Sequence, residues 1–191
     1  MVSEKDLIYQ REMLLDKVDT YQLKLFHETF PRDPKKLYKK LKQSQPTLKE
    51  ILNIHQLELV LPRGGNTYSE KFDTTLTCLL INNICHYKQP RIQHGEPEHW
   101  DKSKIADSIR LRNIRNKIHH HRSIRNITKE LYHKWYKEAC PPLKRLGCPP
   151  YELNKLQIKS KIANDQLVLD MPESEDVEPS PTSDPGWCMI L

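Results

Sequence analysis

Between Leu7 and Leu25 the apolar residues Leu7, Leu14, Val18, Tyr21 and Leu25 recur at spacings of seven, four, three and four. A helix of about 3.6 residues per turn puts all five on one stripe, and a strand does not. The stretch 4–29 is therefore expected to be a long helix that must bury one side against other helices. Pro31 stops it.

Further punctuation cuts the rest of the chain into helical pieces. Asp33-Pro34 reads as a capping acid before a proline at the first helical position, with Leu37 and Leu41 as the apolar face. Pro46 is expected to end that piece. Thr47-Leu48-Lys49-Glu50 fits a capping box opening a short helix through Ile51 and Leu52. Pro62-Arg63-Gly64-Gly65-Asn66 is a glycine turn. Phe72, Leu76, Leu79, Leu80 and Asn83 then mark a buried helix of about four turns. Residues 86–100 are polar and proline-interrupted, and such a long loop is a candidate for binding. Asp101 or Ser103 can cap a helix over 104–119. Asn126 can cap another that carries Ile127, Leu131 and Trp135, with Pro141-Pro142 ending or kinking it. Leu153, Leu156 and Ile162 suggest a last helix. Fourteen prolines against five glycines, and no period-2 strand, fit this all-α reading.

The expected organisation is a helical domain over 1–162 and a disordered acidic tail over 163–191. From Ile162 to Leu191 there are seven acids and no Lys or Arg. The tail is rich in Pro and Ser, which cannot build a core. The remaining 161 residues carry all 31 Lys and Arg against the 18 acids left from 25, a net of +13. A body this basic is the footprint of a polyanion binder, whether RNA, DNA or acidic lipid. The plainer reading is a set of lysine-rich faces that keep a helical protein soluble. Five cysteines without a CxxC pair, a start (MVSEKDLIYQ) without an apolar signal core, and no apolar run near the ~20 residues of a membrane span together predict a reducing, cytoplasmic setting.

The chemistry is concentrated at 110–121. Arg110, Arg112, Arg115, Asn116, Lys117, His119 and His120 lie on the 104–119 helix, with His121 and Arg122 just beyond. At about 100° per residue, Leu111, Ile114 and Ile118 share one side, while Arg112, Arg115, Asn116 and His119 fall in a neighbouring arc. The strip should lie at the rim of a helix–helix contact. Histidine can transfer protons near neutral pH, and the arginine fork holds phosphate and stabilises transition-state charge. Asparagine can orient either group. RNA brings its own nucleophile, the 2′-hydroxyl, so no metal or other cofactor is expected. Spacing alone fits a solvated or phosphate-touching basic face as well as an active site. Three adjacent histidines point about 100° apart and cannot ligate one ion together.

The run Arg115-Asn116-Lys117-Ile118-His119-His120-His121 resembles the HEPN hallmark, an Arg followed four to six residues later by His, often with a polar residue after the Arg. Supporting blocks are Phe72-Asp73-Thr74-Thr75-Leu76, Asn83-Ile84-Cys85, Trp100, Ala106 to Arg112, Trp135 and Leu146-Gly147. Over residues 10–160 the order of blocks is most similar to the animal HEPN branch found in the DAZ-interacting, RNA-binding ubiquitin ligase. The resemblance implies an all-α domain that homodimerises with two Arg/His helices face to face. It implies RNA as partner, and in some branches metal-independent endoribonuclease activity at a composite Arg/His site. Other branches only bind RNA or dimerise. On this basis Arg115, Asn116 and His121, with His120 also within the permitted spacing, are the catalytic candidates. Arg110, Arg112, Lys117, His119 and Arg122 are the RNA-binding ones. The sequence departs from the family in its extra histidines and in Pro141-Pro142. It also lacks a ubiquitin-ligase zinc module, so that activity is not expected.

The chain ends Cys188-Met189-Ile190-Leu191, a C-a-a-X prenylation signal whose terminal Leu favours geranylgeranyl. Lipidation of Cys188 would tether the protein to the cytoplasmic face of a membrane. One chain anchors weakly, and the acidic tail repels an anionic bilayer. A non-catalytic, membrane-tethered adaptor in signalling or innate defence is thus the second functional expectation. A surface that binds only acidic lipid is the third.

Overall fold

The computed structural model describes residues 3–85, 96–121 and 127–158. These belong to one compact unit, Met1–Ile158. The second unit, Lys159–Leu191, lies outside the described residues, and with it the expected disordered tail, Ile162 and Cys188. The same holds for most of the 86–100 loop, for Arg122 and for Asn126.

The described residues form eight α-helices and one 3-10 turn, with no strand among them. They are α1 (Glu4–Phe26), α2 (Pro34–Lys42), α3 (Gln45–Ile51), α4 (Ile54–Val60), α5 (Thr74–Ile84), α6 (Lys104–His120), α7 (Lys129–Arg145) and α8 (Pro150–Leu156). Each start has a local cause. Ser3 and Asp6 form a capping box on α1, and Asn53 and Gln56 form one on α4. Asp33, Asp73, Ser103 and Thr128 cap α2, α5, α6 and α7 through their side-chain oxygens.

Four expectations are corrected. Helix α1 ends at Phe26, not at 29, because its last turn tightens: the Glu28 and Thr29 N–H groups donate to Leu25 and Phe26 carbonyls three residues back. Pro46 opens α3 instead of ending α2, since proline fits a first turn, where its missing N–H costs nothing. Thr47 therefore sits inside α3, and the capping box falls at Asn53 instead. Helix α5 begins after Phe72 and is capped by Asp73. Helix α7 is capped by Thr128 instead of Asn126 and runs through Pro141-Pro142 to Arg145. Two prolines remove two hydrogen bonds, but their fixed φ is helical. Pro142 and Leu143 are buried, and that burial carries the last turn through.

The core lies in two main clusters joined by α1. Its stripe from Leu7 to Tyr21 packs with Leu111, Ile114 and Ile118 of α6, Tyr132 and Trp135 of α7, and Leu153 and Leu156 of α8. Its end, Leu25 and Phe26, packs with α2, α3 and α5. A small third cluster, Cys78 with Ile105 and Ile109, seals α5 to α6. Each fully buried Leu or Ile contributes roughly 1.5–3 kcal/mol. One buried polar pair fixes α6 against α1: Gln22 Nε2 donates to the Ser108 carbonyl at 2.5 Å, and Ser108 Oγ donates to Gln22 Oε1 at 2.7 Å. Helix α6 is thereby held between α1, α5 and α7, and its outer side is left for function.

Candidate nucleic-acid interface

Helix α6 starts at Ser103, whose Oγ accepts from the Ala106 N–H at 3.1 Å. The Ser103 N–H is held in turn by Asp101 Oδ1 at 2.8 Å. Leu111, Ile114 and Ile118 are buried, as the periodicity predicts. Arg112, Arg115 and Asn116 are half-buried at the rim of that seam, whereas Lys117, His119 and His120 are exposed. His121 ends the helix with extended backbone (ψ 108°) and is half-buried.

The basic residues divide by what they already hold. Asp107, 1% exposed, takes two guanidinium groups. Arg145 of α7 grips it with Nε on Oδ2 at 2.7 Å and Nη2 on Oδ1 at 2.6 Å. Arg110 donates Nη1 to Oδ1 at 3.0 Å and Nη2 to the Glu98 carbonyl at 2.6 Å. Arg110 therefore ties α6 to the segment before it. Lys117 Nζ pairs with Glu138 of α7 at 3.1 Å. Arg112 donates to Asn113 Oδ1 from Nε and Nη2, at 3.4 and 3.1 Å. Arg115 makes one long contact, Nη1 to Asn116 Oδ1 at 3.5 Å, and its buried Nε has no hydrogen-bond partner. Among the described residues neither Arg112 nor Arg115 is in an ion pair.

Helix α1 borders Arg115. Burial raises the Asp19 carboxyl above its ordinary pKa. The Arg115 cation works against that shift, and Asp16 and Asp73 add to it. Although much of Asp19 faces solvent, its carboxyl end is held by the Thr74 hydroxyl, which donates to Oδ1. Arg11, 7% exposed, pairs with Glu12 beside the same rim. His119 is shifted below its ordinary pKa, first by partial burial of the ring, then by the Arg115 and Arg11 cations, with Glu12 opposing. Its neutral form, the one that can accept a proton, is thus favoured.

His121 faces elsewhere. Its ring meets Trp135 of α7 edge-on, with centroids 5.6 Å apart. Two residues six apart on a helix lie about 120° apart around its axis. Within one chain, then, Arg115 lies against α1 and His121 against Trp135 of α7, and His119 is coupled electrostatically to Arg115. The sequence reading ranked His119 behind His121. The i, i+4 spacing from Arg115 was the signal that pointed to it. The Asp107–Arg145 clamp was not anticipated, although Asp107 lies three residues before Arg110, one turn away. Among the described residues no three His, Cys, Asp or Glu side chains converge as a metal site. None of the described helices is long and apolar enough to cross a membrane.

A family model described as DZIP3/hRUL138-like HEPN matches residues 27–168. The match includes α2 through α8 and leaves out α1. No curated protein and no solved structure matches the chain significantly.

Proposed function

The chain belongs to the DZIP3/hRUL138-like HEPN family, and on that premise we propose that it binds RNA along α6 and, as a homodimer, cleaves it without a metal ion. One observation carries the reading. Arg115 holds a half-exposed guanidinium with no carboxylate on it, while Arg110 and Arg145 share a buried one. A planar fork with no carboxylate in ion-pair contact, beside an apolar seam, suits a phosphate.

The divergence of Arg115 and His121 supports a composite site. With two α6 helices face to face, Arg115 and Asn116 of one copy and His121 of the other meet at one phosphate. His120 is the alternative proton carrier. One histidine takes the 2′-hydroxyl proton as that oxygen bonds to phosphorus. The bond to the 5′ oxygen breaks, and a protonated histidine returns a proton to the leaving oxygen. The products are a 2′,3′-cyclic phosphate and a 5′-hydroxyl. Arg115 holds the charge that builds on the phosphoryl oxygens, and Asn116 orients it. Arg112, Lys117, His119 and Arg122 contact flanking phosphates, while Arg110 acts by holding the segment before α6.

Incubation with single-stranded RNA in EDTA tests this. Cleavage that is lost in Arg115→Ala and in His121→Ala is the expected result. RNA left intact removes the catalytic part, and an absent or salt-insensitive affinity removes the binding part as well.

One contact favours a second reading. The His121 ring packed against Trp135 also suits a structural histidine in a non-catalytic dimerisation module or adaptor. Prenylation of Cys188 would bring such a module to the cytoplasmic face of a membrane, in signalling or innate defence. Membrane fractionation of the wild type and loss of it in Cys188→Ser would support this version, and a wild type wholly in the soluble fraction would count against it.

A further inference from the structure

A second basic surface lies at the other end of α1. Helix α2, Pro34–Lys42, carries Lys35, Lys36, Lys39, Lys40 and Lys42, all exposed, and no acidic residue. Among the described residues none of the five is in an ion pair, whereas Lys17, Lys104 and Lys117 are. At about 100° per residue, Lys35, Lys39 and Lys42 fall within an arc of roughly 60° and form a stripe about 10 Å long. Lys40 stands apart from them: its Nζ donates to the Thr29 carbonyl at 2.5 Å and lies 5.0 Å over the Phe30 ring. Lys42 lies 5.8 Å over Tyr38, which adds an aromatic face beside the stripe.

The other side of α2 decides which polyanion fits. Leu37 and Leu41 are fully buried in the core. A helix that lies in a bilayer interface needs its apolar face free to enter the lipid, and this one has none to offer. What α2 presents is a row of point charges with an aromatic beside it, the form that tracks a sugar–phosphate strand.

We propose that the Lys35–Lys39–Lys42 stripe of α2 is a second phosphate-tracking surface that engages the same RNA strand as α6. The inference rests on the RNA-binding reading above. Along α1 the α6 strip extends from Arg11, beside His119, to Asp19, beside Arg115, while Phe26 stacks on Phe30 beneath Lys40, with ring centroids 4.9 Å apart. The stretch of α1 from Asp19 to Phe26 rises about 10 Å, and that from Arg11 to Phe26 about 22 Å. A strand must carry several phosphates to follow both surfaces, and a dinucleotide, with its single linking phosphate, cannot. Affinity therefore depends on RNA length in a way a single site does not produce.

The test compares a uridine dinucleotide and an oligouridine of about twenty-four nucleotides by fluorescence anisotropy over a salt series, with the full chain. In the variant Lys35→Glu/Lys39→Glu/Lys42→Glu, affinity for the long RNA should fall at least about tenfold. Its salt slope should drop by about two, since three phosphate contacts are removed at ~0.7 each. Affinity for the short RNA should stay within about twofold of wild type. The Gln triple variant should show the same pattern more weakly, and circular dichroism should show both variants folded. Equal loss on short and long RNA, or no loss on either, overturns the second surface and leaves the α6 reading standing. Wild-type protein that binds neither RNA overturns both. Phosphatidylserine vesicles that bind wild type more tightly than the long RNA, with that binding lost in the triple variant, assign the stripe to a membrane and overturn its RNA role.

Discussion

At the scale of single residues, Arg115 is distinguished by what it lacks. Arg110, five positions earlier and equally basic in sequence, is bound to Asp107 and the Glu98 carbonyl, and a composition count cannot tell the two apart. Only the buried carboxylate separates them. His119 offers the sharpest test of the local geometry. Its protonation is opposed by burial and by the Arg115 and Arg11 cations. A ¹⁵N-correlated NMR titration should place its midpoint below the ordinary value of 6.5. Arg115→Ala should move that midpoint part of the way back, since burial, the larger cause, remains. The sign for stability follows from linkage. Above about pH 6.5 the group adds no penalty, and as pH falls through that value the folded state loses stability, because the unfolded chain binds the proton more readily. A midpoint unchanged by Arg115→Ala would show that the two side chains are not neighbours.

At the scale of elements, most helices were legible because their caps are local. Asp33 and Ser103 act within three residues of themselves. Failures came where a proline has two meanings. Pro46 opens a helix, and Pro141-Pro142 lie inside one, where Leu143 packs into a core built from distant helices. Gly147 closes α7 in the left-handed region (φ 88°), where the Gly147 and Cys148 N–H groups reach back to the Lys144 and Leu143 carbonyls. The join between α6 and α7 depends on Asp107. Asp107→Ala should destabilise the domain by ~2–4 kcal/mol in urea unfolding, because it strips two guanidinium groups of their carboxylate. Arg110 and Arg145 are partly exposed, which limits the loss. A change under ~0.5 kcal/mol would mean that the clamp does not couple the helices.

For the whole molecule, the 3.6-residue periodicity was enough to predict an all-α fold, because each stripe reports which side of its helix is buried. It could not report the partners. That α1 spans two core clusters, with the α6 strip along it from Arg11 to Asp19 and the α2 lysines beyond its Phe26 end, depends on contacts between residues far apart in the chain. The α6 strip was visible in sequence as a rim, but that Arg115 meets α1 and His121 meets α7 depends on how those helices pack on either side. The central claim, that this strip is where RNA binds, is tested most directly by the affinity of a single-stranded RNA for wild type and Arg115→Ala across a salt series. The expected result is salt-dependent binding by wild type and at least ~10-fold weaker binding, with a shallower slope, by the variant. Binding of equal strength and slope in both proteins, or none by the wild type, would contradict it.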